Sequence, residues 1–94
     1  MVVGACRIEL HLPDSRSLKA KRSELKPLLS RLHREFNVAA AEVDCNDVWQ
    51  TAVIGVVTVS NDSGLAHAVL EQTVRWIELH HPDVQVVDWA VEIR

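Results

Sequence analysis

Val2-Val3-Gly4-Ala5-Cys6-Arg7-Ile8-Glu9-Leu10-His11-Leu12, followed by Pro13-Asp14-Ser15-Arg16-Ser17-Leu18, sets the pattern for the rest of the chain. In its first part apolar side chains recur at every second position. Cys6, Ile8, Leu10 and Leu12 fall on one face and Arg7, Glu9 and His11 on the other, as in a half-buried strand. Pro13-Asp14-Ser15 ends the strand, and Ser17 is placed to cap a helix because its hydroxyl can accept from a backbone N–H in the first turn. Leu18, Leu25, Leu28, Leu29, Leu32 and Phe36 then share one stripe at helical spacing, which predicts a helix from about Leu18 to about Phe36. Pro27 lacks the helical N–H and crowds the preceding turn, so a kink or a late start is expected there.

Beyond this unit, Asn37 tolerates the left-handed conformation that closes helices, and Val38 to Asp44 reads as a second strand. Asp44-Cys45-Asn46-Asp47 supplies turn chemistry and leads into a third strand, Trp49 to Ser60, paired with the second as an antiparallel hairpin. Both faces of this strand are apolar. Ala52, Ile54 and Val56 point one way and Val53, Val57 and Val59 the other, whereas a sheet with one solvated face should alternate. Val53, Val57 and Val59 are therefore expected to form an apolar patch that self-associates, giving a homodimer. Asn61-Asp62-Ser63 caps a second helix carrying Leu65, Ala66, Val69, Leu70, Trp76 and Ile77 on one face, which ends near His80-His81-Pro82-Asp83. Val84 to Ile93 is a fourth strand. The order βαββαβ, with right-handed crossovers, predicts an α+β, ferredoxin-like domain: a four-stranded antiparallel sheet with both helices on one face.

At 94 residues this is expected to be a single domain spanning 1–94, with no room for a separate catalytic unit. No apolar run approaches the roughly 20 residues needed to span a membrane, and Met1 to Cys6 is too short for a signal-peptide core. A cytoplasmic location with no membrane partner is the expectation. Cys6 and Cys45 form no C-x-x-C pair and read as free thiols. The net charge of −3 conceals a division, because residues 1–35 carry eight basic against four acidic side chains and residues 36–94 carry two against nine. One end of the chain attracts anions, which suits a local nucleic-acid contact or the pairing of unlike patches between subunits.

Ser15-Arg16-Ser17-Leu18-Lys19-Ala20-Lys21-Arg22 is the densest positive cluster. At a helix N-terminus, Ser15, Ser17 and free backbone N–H groups would converge with Lys19, Lys21 and Arg22 on one anion. Lys19, Arg22, Lys26 and His33 continue the cluster as a row beside the apolar stripe. The candidate anion or RNA site is therefore Ser15, Arg16, Ser17, Lys19, Lys21, Arg22 and Lys26; the competing reading is a solvated helix face that maintains solubility. Base stacking on the sheet lacks the aromatic side chains it needs. A cysteine pair for metal transfer is missing, and the loop after the first strand lacks the glycines of a phosphate cradle. Asp44, Cys45 and Asp47 could make a metal or nucleophile site, but a hairpin turn with an incidental thiol explains them better. No catalytic residue, metal or cofactor is expected.

Ser17-Leu18-Lys19-x-Lys21-Arg22, Phe36-Asn37-Val38, Glu42, Asp47-x-Trp49-Gln50, Gly55 and Ser60-Asn61-Asp62 together resemble the bacterial YlxP-like family, domain of unknown function family 503, over essentially the whole chain. The resemblance implies a small ferredoxin-like cytoplasmic protein without established enzymatic activity. It also implies genes near those for transcription elongation, translation initiation and ribosome maturation, which points toward ribosomal or other structured RNA as a partner. Cys45 departs from the residues relatives carry between Glu42 and Asp47, which weakens any catalytic role there. Trp49 and Gln50 are expected to fix the hairpin, the indole N–H finding a backbone acceptor. Two functions follow: a non-enzymatic RNA- or ribosome-associated module using the basic turn, or a dimeric structural or regulatory module that binds no nucleic acid.

Overall fold

The computed structural model describes residues 1–94, with elements in the order β1 (Val2–His11), α1 (Leu18–Glu35), β2 (Ala39–Asp44), β3 (Thr51–Ser60), α2 (Ser63–His80) and β4 (Gln85–Ile93). The sheet order is β2-β3-β1-β4, and every neighbouring pair is antiparallel. β1 and β3 occupy the centre and pair along their whole length, from Val2 opposite Ser60 to His11 opposite Thr51. β2 and β4 are the edges. Cys6, Ile8 and Leu10 of β1 and Ala52, Ile54 and Val56 of β3 pack under Leu25, Leu28 and Leu32 of α1 and Leu70, Val74 and Ile77 of α2. The alternation of β1 thus puts its apolar face beneath both helices, in the ferredoxin-like α+β fold.

Ser17 caps α1, its hydroxyl accepting from the Ala20 N–H at 3.0 Å, and Asp62 caps α2 by accepting from the Gly64 N–H at 3.3 Å. α1 runs unbroken through Pro27. An interior proline costs about 3 kcal/mol. Leu25, Leu28 and Leu32 are almost fully buried on the same helix, each contributing about 1.5–3 kcal/mol. Packing therefore outweighs the proline, which lies on the exposed side with Ser23, whose carbonyl it leaves without a helical donor.

Two sequence expectations are corrected. α1 closes at Phe36 in an extended conformation, with the Phe36 N–H donating to the Leu32 carbonyl, so Asn37 is not left-handed. The one non-glycine residue with positive φ is Cys45, at 59°, in the loop joining β2 to β3. Val53 is not part of an exposed patch: it is 1% exposed, while Val57 and Val59 are 38% and 57% exposed. It lies outside the core beneath the helices, on an interior strand with Glu9 opposite on one side and Asp44 on the other, beside an irregularity in β2. Cross-strand partners stand close enough to cover a valine; toward Val57 the neighbouring residues are Ala5 and Ala39, which cannot.

Candidate functional site

The residues expected to form one anion site separate into two groups. Ser15 is fully buried, its hydroxyl donating to the Ser17 carbonyl at 3.3 Å, and the Ser17 hydroxyl is occupied in capping α1. Lys21 is 1% exposed and turns inward. Its Nζ donates to the carbonyls of Cys45 at 2.8 Å, Thr51 at 3.2 Å and Asn46 at 3.4 Å. Glu42 Oε2 lies 2.8 Å from the same nitrogen and balances its charge, although the pair lacks the angle of a hydrogen bond. Ser15, Ser17 and Lys21 are therefore structural, and the proposed convergence of serines, N–H groups and Lys21 on an external anion does not form.

The signal for Lys21 was present in the sequence. Leu18, Lys21, Leu25, Leu28 and Leu32 follow one another at three- and four-residue steps, so the lysine sits on the apolar stripe itself. A lysine there is buried only if its charge is met, and Glu42 with the loop carbonyls meets it. Gln50 reinforces the same junction. Its amide nitrogen donates to the Pro13 and Ser15 carbonyls, each at 3.3 Å, and its backbone carbonyl accepts from the Leu12 N–H at 2.9 Å. Trp49, in contrast, is exposed and its indole N–H makes no hydrogen bond, contrary to expectation; of the two, only Gln50 helps to fix the loop.

The second group remains outside. Arg16, Lys19, Arg22 and Lys26 are exposed, and none forms an ion pair. Arg16 precedes the cap, and Lys19, Arg22 and Lys26 follow at three- and four-residue steps along α1, a single ridge. Beside it lies a groove of about 440 Å³ between α1 and the outer edge of β2. Arg22, Lys26 and His33 border one side, Ala40 and Glu42 the other, and Leu25 and Leu29 contribute apolar lining. His33 spans the groove: its Nε2 accepts from the Ala40 N–H at 3.0 Å, which shows that this N–H points away from β3.

The Asp44-Cys45-Asp47 turn offers no comparable arrangement. Asp44 accepts from the Cys45 N–H at 2.8 Å and lies 3.5 Å from Arg7, and no three His, Cys, Asp or Glu side chains gather at metal-ligand spacing anywhere in the chain. Cys6 is buried under the helices, and burial pushes its thiol up to about 11, with a backbone hydrogen bond from Ala90 opposing the shift. On the helix-free face of the sheet, a shallow hollow of about 610 Å³ has small residues at its floor, among them Ala5, Gly55 and Ala90. Arg7, Glu92 and Arg94 lie around it, and Val57 adds apolar surface.

The family model described as "Protein of unknown function (DUF503)" matches residues 3–91. The chain belongs to this family. The DUF503 assignment agrees with a relative in Bacillus subtilis (strain 168), "Uncharacterized protein YlxP", which is 31% identical over 77 residues, covering 82% of this chain and 84% of the relative. Among solved structures, "De novo designed protein Foldit4" aligns over 99% of this chain and 94% of its own at 17% identity, with a TM-score of 0.49. Within this DUF503 chain, the serine-leucine-lysine block Ser17-Leu18-Lys19 builds the start of α1, while Lys21 ties that helix, and Gln50 the turn before it, to the β2–β3 loop. No helix is long and apolar enough to cross a membrane.

Proposed function

We propose that this DUF503 protein is a non-enzymatic cytoplasmic module that binds structured RNA, such as ribosomal RNA, through the phosphate backbone. The observation that carries this reading is the ridge of Arg16, Lys19, Arg22 and Lys26, four exposed cations with no acidic partner in a chain of net negative charge. Exposed, unpaired cations in a row suit a run of phosphates and carry no base-reading geometry, so shape is recognised and sequence is not. Four phosphate contacts give a slope of log affinity against log salt of about −3 to −4. Lys19→Ala combined with Arg22→Ala should flatten that slope by about two. An unchanged slope, or no binding to bulk RNA or ribosomes at low salt, refutes it.

A second reading, a homodimer that acts without nucleic acid, is favoured by the helix-free face of the sheet. Val57 and Val59 are exposed there, and the hollow beside Val57 is bordered by Arg7, Glu92 and Arg94. A two-fold interface needs a patch complementary to itself, and a small-residue floor with charges of both signs meets that requirement. A monomeric solution mass at micromolar concentration refutes this reading and leaves the RNA reading intact.

A further inference from the structure

We infer that the groove between α1 and β2 is a docking site for an extended peptide segment of alternating acidic and apolar residues, which adds to the sheet as a fifth strand beside β2. β2 is an edge strand, and its outer side carries the Ala40 N–H, now held only by the imidazole of His33 at 3.0 Å. By strand alternation, the Glu42 backbone presents its N–H and carbonyl on the same side. A strand laid against this edge would displace His33 and make backbone hydrogen bonds to Ala40 and Glu42, as in recognition by strand addition.

Charge selects the occupant. Arg22 and Lys26 stand over the groove without ion partners, and the one carboxylate lining it, Glu42, is neutralised by Lys21 at 2.8 Å. The groove wall is therefore net positive. Arg22 and Lys26 are four residues apart on α1, a rise of about 6 Å at 1.5 Å per residue. Every second side chain of an extended strand recurs after about 6.6 Å. Two acidic side chains at alternate positions thus face the two cations together, with their methylenes against Leu25 and Leu29. The intervening side chains fall on the other face of the sheet, beside exposed Ala39, Ala41 and Val43, where apolar residues fit. This site shares Arg22 and Lys26 with the RNA ridge but does not depend on RNA binding, since it adds the strand edge that RNA does not require.

The test is fluorescence anisotropy of the full chain with a short labelled peptide alternating glutamate and valine, alongside amide chemical-shift mapping. Saturable binding with shifts centred on β2 and the facing side of α1 is expected. A peptide with lysine in place of glutamate should bind at least about tenfold more weakly, and Arg22→Ala with Lys26→Ala should weaken the acidic peptide by about tenfold. Ala40→Pro removes the outward N–H while sparing the ladder to β3, so it should abolish peptide binding without unfolding the domain. His33→Ala frees the same N–H and should tighten binding. Arg16→Ala and Lys19→Ala should leave peptide binding unchanged while weakening RNA, and Ala40→Pro should leave RNA binding unchanged. Equal binding of the lysine peptide, shifts mapping to β4 or the helix-free face, or full binding by folded Ala40→Pro overturns the inference.

Discussion

Replacing Lys21 by methionine isolates the charge of a buried lysine while keeping its apolar stem. In the parent chain Nζ reaches three carbonyls at 2.8, 3.2 and 3.4 Å and sits 2.8 Å from Glu42 Oε2, whose side chain is 17% exposed. Lys21→Met leaves that carboxylate uncompensated in a largely buried place. Breaking a buried pair on one side costs about 3–5 kcal/mol. Asn46, whose carbonyl is one of the three acceptors, is exposed and water can replace its lost hydrogen bond, which places the expected loss near the lower end, about 3 kcal/mol. For a domain of this size that is a large share of a total of roughly 5–14 kcal/mol. It corresponds to a fall in Tm of about 12–24 °C. Urea unfolding followed by circular dichroism measures it directly. Adding Glu42→Gln should recover at least about 1 kcal/mol, because it removes the stranded charge, and the two substitutions should be clearly non-additive. A Lys21→Met protein within about 0.5 kcal/mol of the parent would behave like a surface substitution and refute the reasoning.

Two further outcomes follow from the core. A Cβ at Gly4 would lie 3.0 Å from Leu70 Cδ1 and 3.3 Å from Ala66 Cβ, so Gly4→Ala makes these side chains of α2 give by a few tenths of an ångström; the expected loss is about 1–3 kcal/mol by urea unfolding, and an unchanged midpoint would mean that α2 is not tightly seated on Gly4. Burial holds the Cys6 thiol protonated up to about 11, against an ordinary 9.0. The unfolded chain therefore releases this proton first, and stability that is constant below pH 9 is lost as pH rises from 9 toward about 11. Comparison with Cys6→Ala isolates the effect, because the variant should lack that component of the alkaline decline; identical pH profiles would show that Cys6 does not contribute it.

The fold was legible because two periodicities are written plainly. Cys6, Ile8, Leu10 and Leu12 alternate, and Leu25, Leu28 and Leu32 recur at helical spacing, and each set is buried where its period places it. The site was half legible. Charge density located the ridge, but density alone does not tell which cation faces water, and Lys21 differs from Lys19 and Arg22 only in its angle around the helix. Val53 misled for a related reason. Alternation assigns a residue to a face of the sheet, whereas its exposure depends on what stands opposite, and Glu9 and Asp44 are set beside it by pairing with strands far away in sequence. The His33 to Ala40 contact was invisible to any local pattern, because it joins a helix to a strand edge across the turn that ends α1.

The three carbonyls gathered by Lys21 belong to the main chain, and this has a consequence for how such a domain can change over time. Cys45, Asn46 and Thr51 are held by groups that every amino acid possesses, so the path of the loop is dictated by one lysine on α1 and, among the loop's own side chains, by Gln50. Apart from the left-handed backbone at position 45, which favours a narrow set of residues, and Gln50, the loop is free to diversify. Different outward chemistries can be displayed at this end of the molecule on one unchanging backbone, with the selective constraint carried by a residue that solvent never meets.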